Sequence, residues 1–259
     1  MTSAGFGSEA AKLSDIRKVL ESTDTLDKPL GAKYLTAITE MENVIFSLHR
    51  FGKIDSQDIL LSDDIKFLQN AFCDYETSLE ERNALEAISG AGKNVFGDRV
   101  LSRTVDYAIT EGKFAGIGKN DKVLVVGSGP FPETAIAYAE SFRCNVTCVE
   151  KELRFCEISR ELIETLGLSE KIKVANCSGE HADVSGFDKV LVTILTKNRG
   201  EVLKNVSRYG AEIIARTSFG SSCLIYEPIG REQLEMFHEK RSLIRWGKNF
   251  TSSLLLEKK

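Results

Sequence analysis

An apolar run, Lys122-Val-Leu-Val-Val, ends in Gly127-Ser-Gly-Pro-Phe-Pro and passes straight into the helical pattern Glu133-Thr-Ala-Ile-Ala. A glycine turn between a strand and a helix lets the backbone approach a ligand closely, and the first amides of the helix welcome negative charge or a carboxylate. Gly127 and Gly129 permit the turn, Ser128 offers a hydroxyl, and Pro130 stiffens the loop. The dinucleotide fingerprint G-x-G-x-x-G expects a third glycine where this chain has Pro132, so the loop is not an ordinary NAD loop. Glu150 closes the next apolar run, Asn145-Val-Thr-Cys-Val-Glu, where an acid about twenty residues after the glycines can accept both hydroxyls of a ribose. A third marker, Val174-Ala-Asn-Cys-Ser-Gly-Glu, offers Cys177 and Ser178 as small or polar residues able to lie alongside an adenine ring. Arg216 follows the strand expected at 211–215, so it should emerge at the ligand edge of a sheet, where a guanidinium can hold a carboxylate with two hydrogen bonds. Each marker also has a plainer reading, as a structural turn, a strand-end acid or a surface ion pair.

The elements that must position these residues fall into two textures. From Leu13 to about Ile88 apolar residues recur at helical intervals, with Tyr34, Ile38, Met41, Ile45 and Leu48 followed by Ile65, Leu68, Phe72, Tyr75 and Leu79. Ser62-Asp-Asp reads as a helix start and Ser89-Gly as its stop. Past Asp121 short β-branched runs at 123–126, 146–149, 172–175, 190–194, 211–215, 223–226 and 253–256 alternate with helical patterns. This alternation predicts an α/β fold with a mainly parallel, Rossmann-like sheet carrying ligands at the carboxyl ends of its strands. The expected division is an N-terminal all-helical domain, 1–115, and a nucleoside-binding domain, 116–259.

Composition narrows the function classes. The chain has 259 residues, 42% of them hydrophobic, enough for one large core or two modest ones. Its 34 Lys and Arg against 38 Asp and Glu leave a net charge of -4, with no basic cluster to track phosphates, so nucleic-acid partners are not expected. The N-terminus lacks a signal-peptide layout, and no run approaches the roughly 18 apolar residues of a membrane span; a cytoplasmic location off the membrane is the expectation. Six cysteines without a C-x-x-C pair, and only three histidines, indicate reduced thiols rather than a zinc site or a disulfide frame. The histidines form no triad with a serine: His49 reads as a helix-face residue and His181 as a loop residue, while His238 and Trp246 read as packing or surface.

Together the glycine loop, Glu150 and the Cys177-Ser178 loop resemble the S-adenosylmethionine-binding form of the Rossmann-like fold, with one nucleoside and no pyrophosphate to wrap. A closer resemblance is to nicotianamine synthases and the bacterial histidine 2-aminobutanoyltransferases of opine-type, staphylopine-like metallophore synthesis. Gly127-Ser-Gly-Pro-Phe-Pro-Glu-Thr looks like their G-S-G-P-L-P-x-T loop. Phe187-Asp-Lys-Val-Leu-Val-Thr-Ile-Leu is similar to D-V-V-F-L-A-A-L, and Ala215-Arg-Thr-Ser-Phe-Gly-Ser-Ser-Cys-Leu-Ile-Tyr-Glu-Pro to L-R-S-A-H-G-x-R-x-F-L-Y-P. Cys73-Asp-Tyr-Glu-Thr-Ser-Leu-Glu resembles L-C-x-x-A-E-G-x-L-E with one residue fewer before the glutamate, and the E-x-x-L-E core matches Glu76 to the family's catalytic glutamate.

The resemblance implies transfer of the 3-amino-3-carboxypropyl (aminobutanoyl) group of S-adenosylmethionine to an amino-acid amine, with release of methylthioadenosine. The amine must be neutral to attack, so Glu76 is implied as the base, with Glu80 one turn along the helix in reserve. From composition alone Glu76 reads as a solvated acid beside Glu80 and Glu81. Arg216 falls in the family's R-S-A-H-G block and is expected to bind substrate. The family's Y-Y-x-N-Y-like segment is replaced by Phe96-Gly-Asp-Arg-Val, which makes Arg99 a second candidate for an acceptor carboxylate. Histidine is the favoured acceptor, S-adenosylmethionine the co-substrate, and no metal is expected in the enzyme; self-association as a homodimer is left open. The alternatives are nicotianamine synthesis from several S-adenosylmethionine molecules, an S-adenosylmethionine-dependent methyltransferase, and a non-catalytic nucleoside sensor.

Overall fold

The computed structural model describes residues 7–23, 29–49, 59–90, 99–244 and 249–259, with the side chains of 99–101 excepted. Phe96 and Trp246 lie outside the described residues. The chain packs as two compact units: residues 1–79, 217–228 and 245–251 form one, and residues 80–216, 229–244 and 252–259 the other.

The first unit is helical. It contains α1 (Gly7–Ser22), α2 (Ala32–Leu48) and α3 (Ser62–Ile88) as far as Leu79. The expected spacing in α2 is realised, since Tyr34, Ile38, Met41, Ile45 and Leu48 are all buried on one stripe. They share the unit's interior with Leu13 and Leu20 of α1, Leu68 and Phe72 of α3, and Phe250. Each fully buried side chain of this size contributes about 1.5–3 kcal/mol, and this burial, rather than helix propensity, is what holds the helices.

The run at 223–226, expected as a strand, instead belongs to this helical unit. Gly220–Leu224 is a short 3-10 turn entered by Gly220 at φ 57°. Its serines explain the difference: the Ser221 hydroxyl donates to the Ile45 carbonyl at 3.3 Å, and Ser222 Oγ lies 3.1 Å from His49 Nε2. Small buried hydroxyls here tie the segment to α2 instead of a sheet neighbour.

The second unit is a seven-stranded sheet in the order β3-β2-β1-β4-β5-β7-β6 among the described residues, flanked by helices. The strands are β1 (Lys122–Val126), β2 (Asn145–Glu150), β3 (Ile172–Asn176), β4 (Lys189–Val192), β5 (Glu212–Thr217), β6 (Phe237–Leu243) and β7 (Ser252–Lys258). β1 pairs in parallel with β2 and β4, β2 with β3, and β4 with β5; β6 and β7 are antiparallel. β6 escapes the sequence reading because five of its seven residues are solvent-exposed, among them Glu239, Lys240 and Arg241. Charges of this kind blunt an edge strand and remove its apolar alternation.

The helices of this unit are α4 (Arg99–Phe114), α5 (Glu133–Phe142), α6 (Leu153–Thr165), α7 (Arg199–Val206) and α8 (Arg231–Leu234). The units divide differently from the expected cut at residue 115. Ala84 of α3 and Ala108 of α4 lie in the same apolar cluster as Val123, Val125, Tyr138 and Cys148, so the last turns of α3, from Glu80, and α4 pack with the sheet.

Candidate nucleoside and proton-transfer sites

Parallel register places the sheet-unit candidates on one edge. Val126 is opposite both Val149 and Val192, Glu150 is opposite Asn176, and Val192 is opposite Ala215. Gly127, Glu150, Cys177, Thr193 and Arg216 therefore all stand at or just past the carboxyl ends of their strands. Strand order reverses between β1 and β4, the position where open α/β sheets form ligand crevices.

Gly127 and Gly129 adopt φ of 79° and 67°, a left-handed conformation that glycine enters without a Cβ penalty. A Cβ on Gly127 would lie 2.4 Å from Thr196 Oγ1 and 2.8 Å from Thr193 Oγ1; one on Gly129 would lie 2.6 Å from Glu80 Oε2. The close approach that these glycines allow is thus to the protein's own hydroxyls and to a carboxylate. The hydroxyls brace the turn, with Thr193 donating to the Gly127 carbonyl at 2.7 Å and Thr196 to the Val126 carbonyl at 2.9 Å. From α6 the buried Ser159 hydroxyl reaches the Gly129 and Pro130 carbonyls at 2.9 and 3.2 Å. Phe131 is fully buried in the apolar cluster, anchoring the loop between Pro130 and Pro132.

Glu150 is buried and oriented from both sides. Its Oε2 accepts the Gly129 amide at 3.1 Å and its Oε1 accepts the Glu152 amide at 3.0 Å. An ionised carboxylate offers about four acceptor positions, so two remain for a pair of vicinal hydroxyls. Asn176 fixes the strand end behind it by donating to the Glu150 and Lys151 carbonyls at 3.0 and 2.9 Å. These two acceptor positions fit the hydroxyls of a ribose at this edge. Ser128 is buried beside Cys148, whose thiol burial pushes up to about 12.

Cys177 and Ser178 are half-buried at the exit of β3, and the Ser178 hydroxyl is 2.9 Å from His181 Nδ1. The following Gly179 passes so close to the sheet that a Cβ would sit 2.4 Å from Val126 Cγ1. All six cysteines are free.

Arg216 does grip a carboxylate with two nitrogens, but the carboxylate is the protein's own. Its Nε lies 3.1 Å from Glu111 Oε1 and its Nη2 2.7 Å from Glu111 Oε2, and Nη2 also donates to Thr134 Oγ1 at 3.1 Å. Tyr138 donates to the same Glu111 at 2.8 Å, and the Ser253 hydroxyl contacts it as well. Arg216 is 5% exposed and Glu111 fully buried, so this is an internal ion pair rather than a surface one or a waiting substrate clamp. Burial works against the guanidinium charge, yet Glu111 outweighs it and raises the arginine pKa, while burial and Glu111 both push the Tyr138 phenol well up. Sequence reasoning missed Glu111 because a single acid in α4 has no local signature. Arg99 opens α4, and its side chain lies outside the described residues.

In the helical unit Glu76 is not a solvated helix-face acid. It is 8% exposed, and the Tyr226 phenol donates to it, 2.7 Å from each carboxylate oxygen. Tyr226 is held in turn: the Ser218 hydroxyl donates to its carbonyl at 2.6 Å, and its ring meets Phe72 edge-on at 5.6 Å. Tyr226 was legible only within the L-Y-P block of the resemblance, and there it had no assigned role.

No family model matches the chain. Over 115 residues, 42% of the chain, it is 28% identical to the L-histidine 2-aminobutanoyltransferase of Yersinia pestis, and the match spans 43% of that protein. A crystal structure of MtNAS in complex with MTA and tNA superposes with a TM-score of 0.85 at 21% identity, covering 96% of this chain and 97% of that one. A glutamate-to-glutamine mutant of MtNAS in complex with S-adenosylmethionine gives 0.83 at 22% identity over the same shares. Across both its helical region and its seven-stranded sheet, the chain has the fold of nicotianamine synthase.

Proposed function

We propose that the chain transfers the 3-amino-3-carboxypropyl group of S-adenosylmethionine to the amine of an amino acid, histidine first, and releases methylthioadenosine as a step in opine-type metallophore synthesis. The observation that carries this reading is Glu76, a buried carboxylate held by a tyrosine in the helical unit, at the position matched to the family's catalytic glutamate. A methyltransferase needs no such group. The part-length match to an L-histidine 2-aminobutanoyltransferase supports histidine as acceptor.

In this reading Glu150 takes the ribose hydroxyls, Gly127, Ser128, Gly129 and Pro130 form the loop under the nucleoside, and Cys177 and Ser178 flank the adenine. Glu76 accepts the proton of the attacking ammonium, since an amino acid at neutral pH is mostly protonated and cannot attack until it is neutral. The amine nitrogen then forms a bond to the methionyl γ-carbon, the carbon–sulfur bond breaks, and its electron pair stays on sulfur to give neutral methylthioadenosine. The working compartment is the cytoplasm.

Incubation with S-adenosylmethionine and L-histidine, D-histidine or other amino acids, followed by mass spectrometry, tests the reading. Methylthioadenosine together with an acceptor heavier by an aminobutanoyl group is the expected result. Product from S-adenosylmethionine alone would favour nicotianamine-type chemistry, and S-adenosylhomocysteine would establish methyl transfer instead.

A further inference from the structure

The tyrosine on Glu76 has a geometry that an ordinary packing contact does not require. The phenolic oxygen lies the same 2.7 Å from both carboxylate oxygens, and both residues are buried. We infer that Tyr226 is a positioning residue for proton transfer, holding the Glu76 carboxylate ionised and in one orientation before the reaction. This inference rests on Glu76 being the base.

The physical argument has two parts. Burial by itself favours the neutral carboxyl, whereas a hydroxyl donated to the charged form favours the anion, so the phenol sets how readily Glu76 is ionised near neutral pH. The symmetric distance adds a second property: whichever oxygen takes the amine proton, the other keeps its hydrogen bond from Tyr226. The carboxyl is therefore not released to rotate during the step, and no hydrogen bond must be broken to accommodate the new proton. Tyr226 is fixed for this task by the Ser218 hydroxyl on its carbonyl and by the Phe72 ring. Other titratable groups close by on these elements are Cys73, Asp74, Tyr75 and Glu80, within a turn of Glu76 on α3, and Cys223 and Glu227 beside Tyr226. α2 is followed by His49, whose proton affinity burial lowers. Tyr226→Phe leaves all of these in place.

The test is Tyr226→Phe assayed across pH 6–9 beside Glu76→Gln, with S-adenosylmethionine binding measured by calorimetry. The phenylalanine variant is expected to lose tenfold or more in kcat at pH 7 with its S-adenosylmethionine Kd unchanged. The acid limb of its kcat/KM profile moves to higher pH, so that activity recovers as pH rises. A kcat and a pH profile like those of the wild type overturn the inference, while a fully active Glu76→Gln overturns the underlying assignment of the base. If the phenylalanine variant does not fold, 3-fluorotyrosine at position 226 keeps the ring and strengthens the donor. The acid limb then moves to lower pH, and an unmoved limb again overturns the inference.

Discussion

A carboxylate does different work according to what surrounds it, and three glutamates here divide accordingly. Glu76 carries one phenol, Glu150 two backbone amides, and Glu111 an arginine with two hydroxyl donors. Glu76→Gln keeps the shape and the buried polar contact but cannot take a proton; turnover is expected to fall at least a hundredfold while calorimetry finds S-adenosylmethionine bound as before. Glu150→Ala takes away the ribose acceptor and leaves the Gly129 amide unmatched, so its S-adenosylmethionine Kd should rise tenfold or more, and an unchanged Kd would remove it from the binding loop. Gly129→Ala forces a Cβ into the left-handed region, at about 1–2 kcal/mol, and against the Glu80 carboxylate. Shortening Glu80 should relieve only the second part, which urea denaturation of the single and double variants can separate. Glycine spacing and a strand-end acid are local patterns, so both were readable from the chain. Tyr226 and Glu111 were not, because each meets its partner across more than a hundred residues of sequence.

At the scale of elements, β5 and the segment after it show where local reading fails. The run 211–215, broken only by Glu212, leads into a buried strand as expected; the run at 223–226 is fully apolar but follows Ser221 and Ser222, whose hydroxyls bind Ile45 of α2 and His49 just after it. Pairing chemistry decided the outcome. Arg216 closes β5 and joins α4 and α5 through Glu111 and Thr134, so its loss strands a buried negative charge. Arg216→Met is expected to destabilise the protein by about 3–5 kcal/mol in chemical denaturation, with Arg216→Met/Glu111→Leu recovering much of it. A substrate-binding arginine would instead raise KM and leave stability nearly unchanged.

For the molecule as a whole, the alternation of apolar runs was enough to specify a parallel sheet and a helical N-terminal region, because burial periodicity is a property of sequence. The division at Leu79 was not, since it depends on two later segments, 217–228 and 245–251, that return to the helices. Burial of His49 beside one of these segments predicts that acid weakens the helical unit. Ser222 lies against His49, whose pKa burial lowers below its ordinary value near 6.5. The unfolded chain binds that proton more readily, so this contribution to stability is present above about pH 6.5 and is lost as pH falls through the histidine's lowered folded pKa. Thermal unfolding at pH 7.5 and 5.5 should show a smaller acid loss in His49→Gln than in the parent chain. Aminobutanoyl transfer is most directly tested by identifying the nucleoside left after turnover with S-adenosylmethionine and L-histidine. Methylthioadenosine, formed in step with a histidine bearing the 3-amino-3-carboxypropyl group, is the predicted result, and S-adenosylhomocysteine with methylated histidine would contradict it.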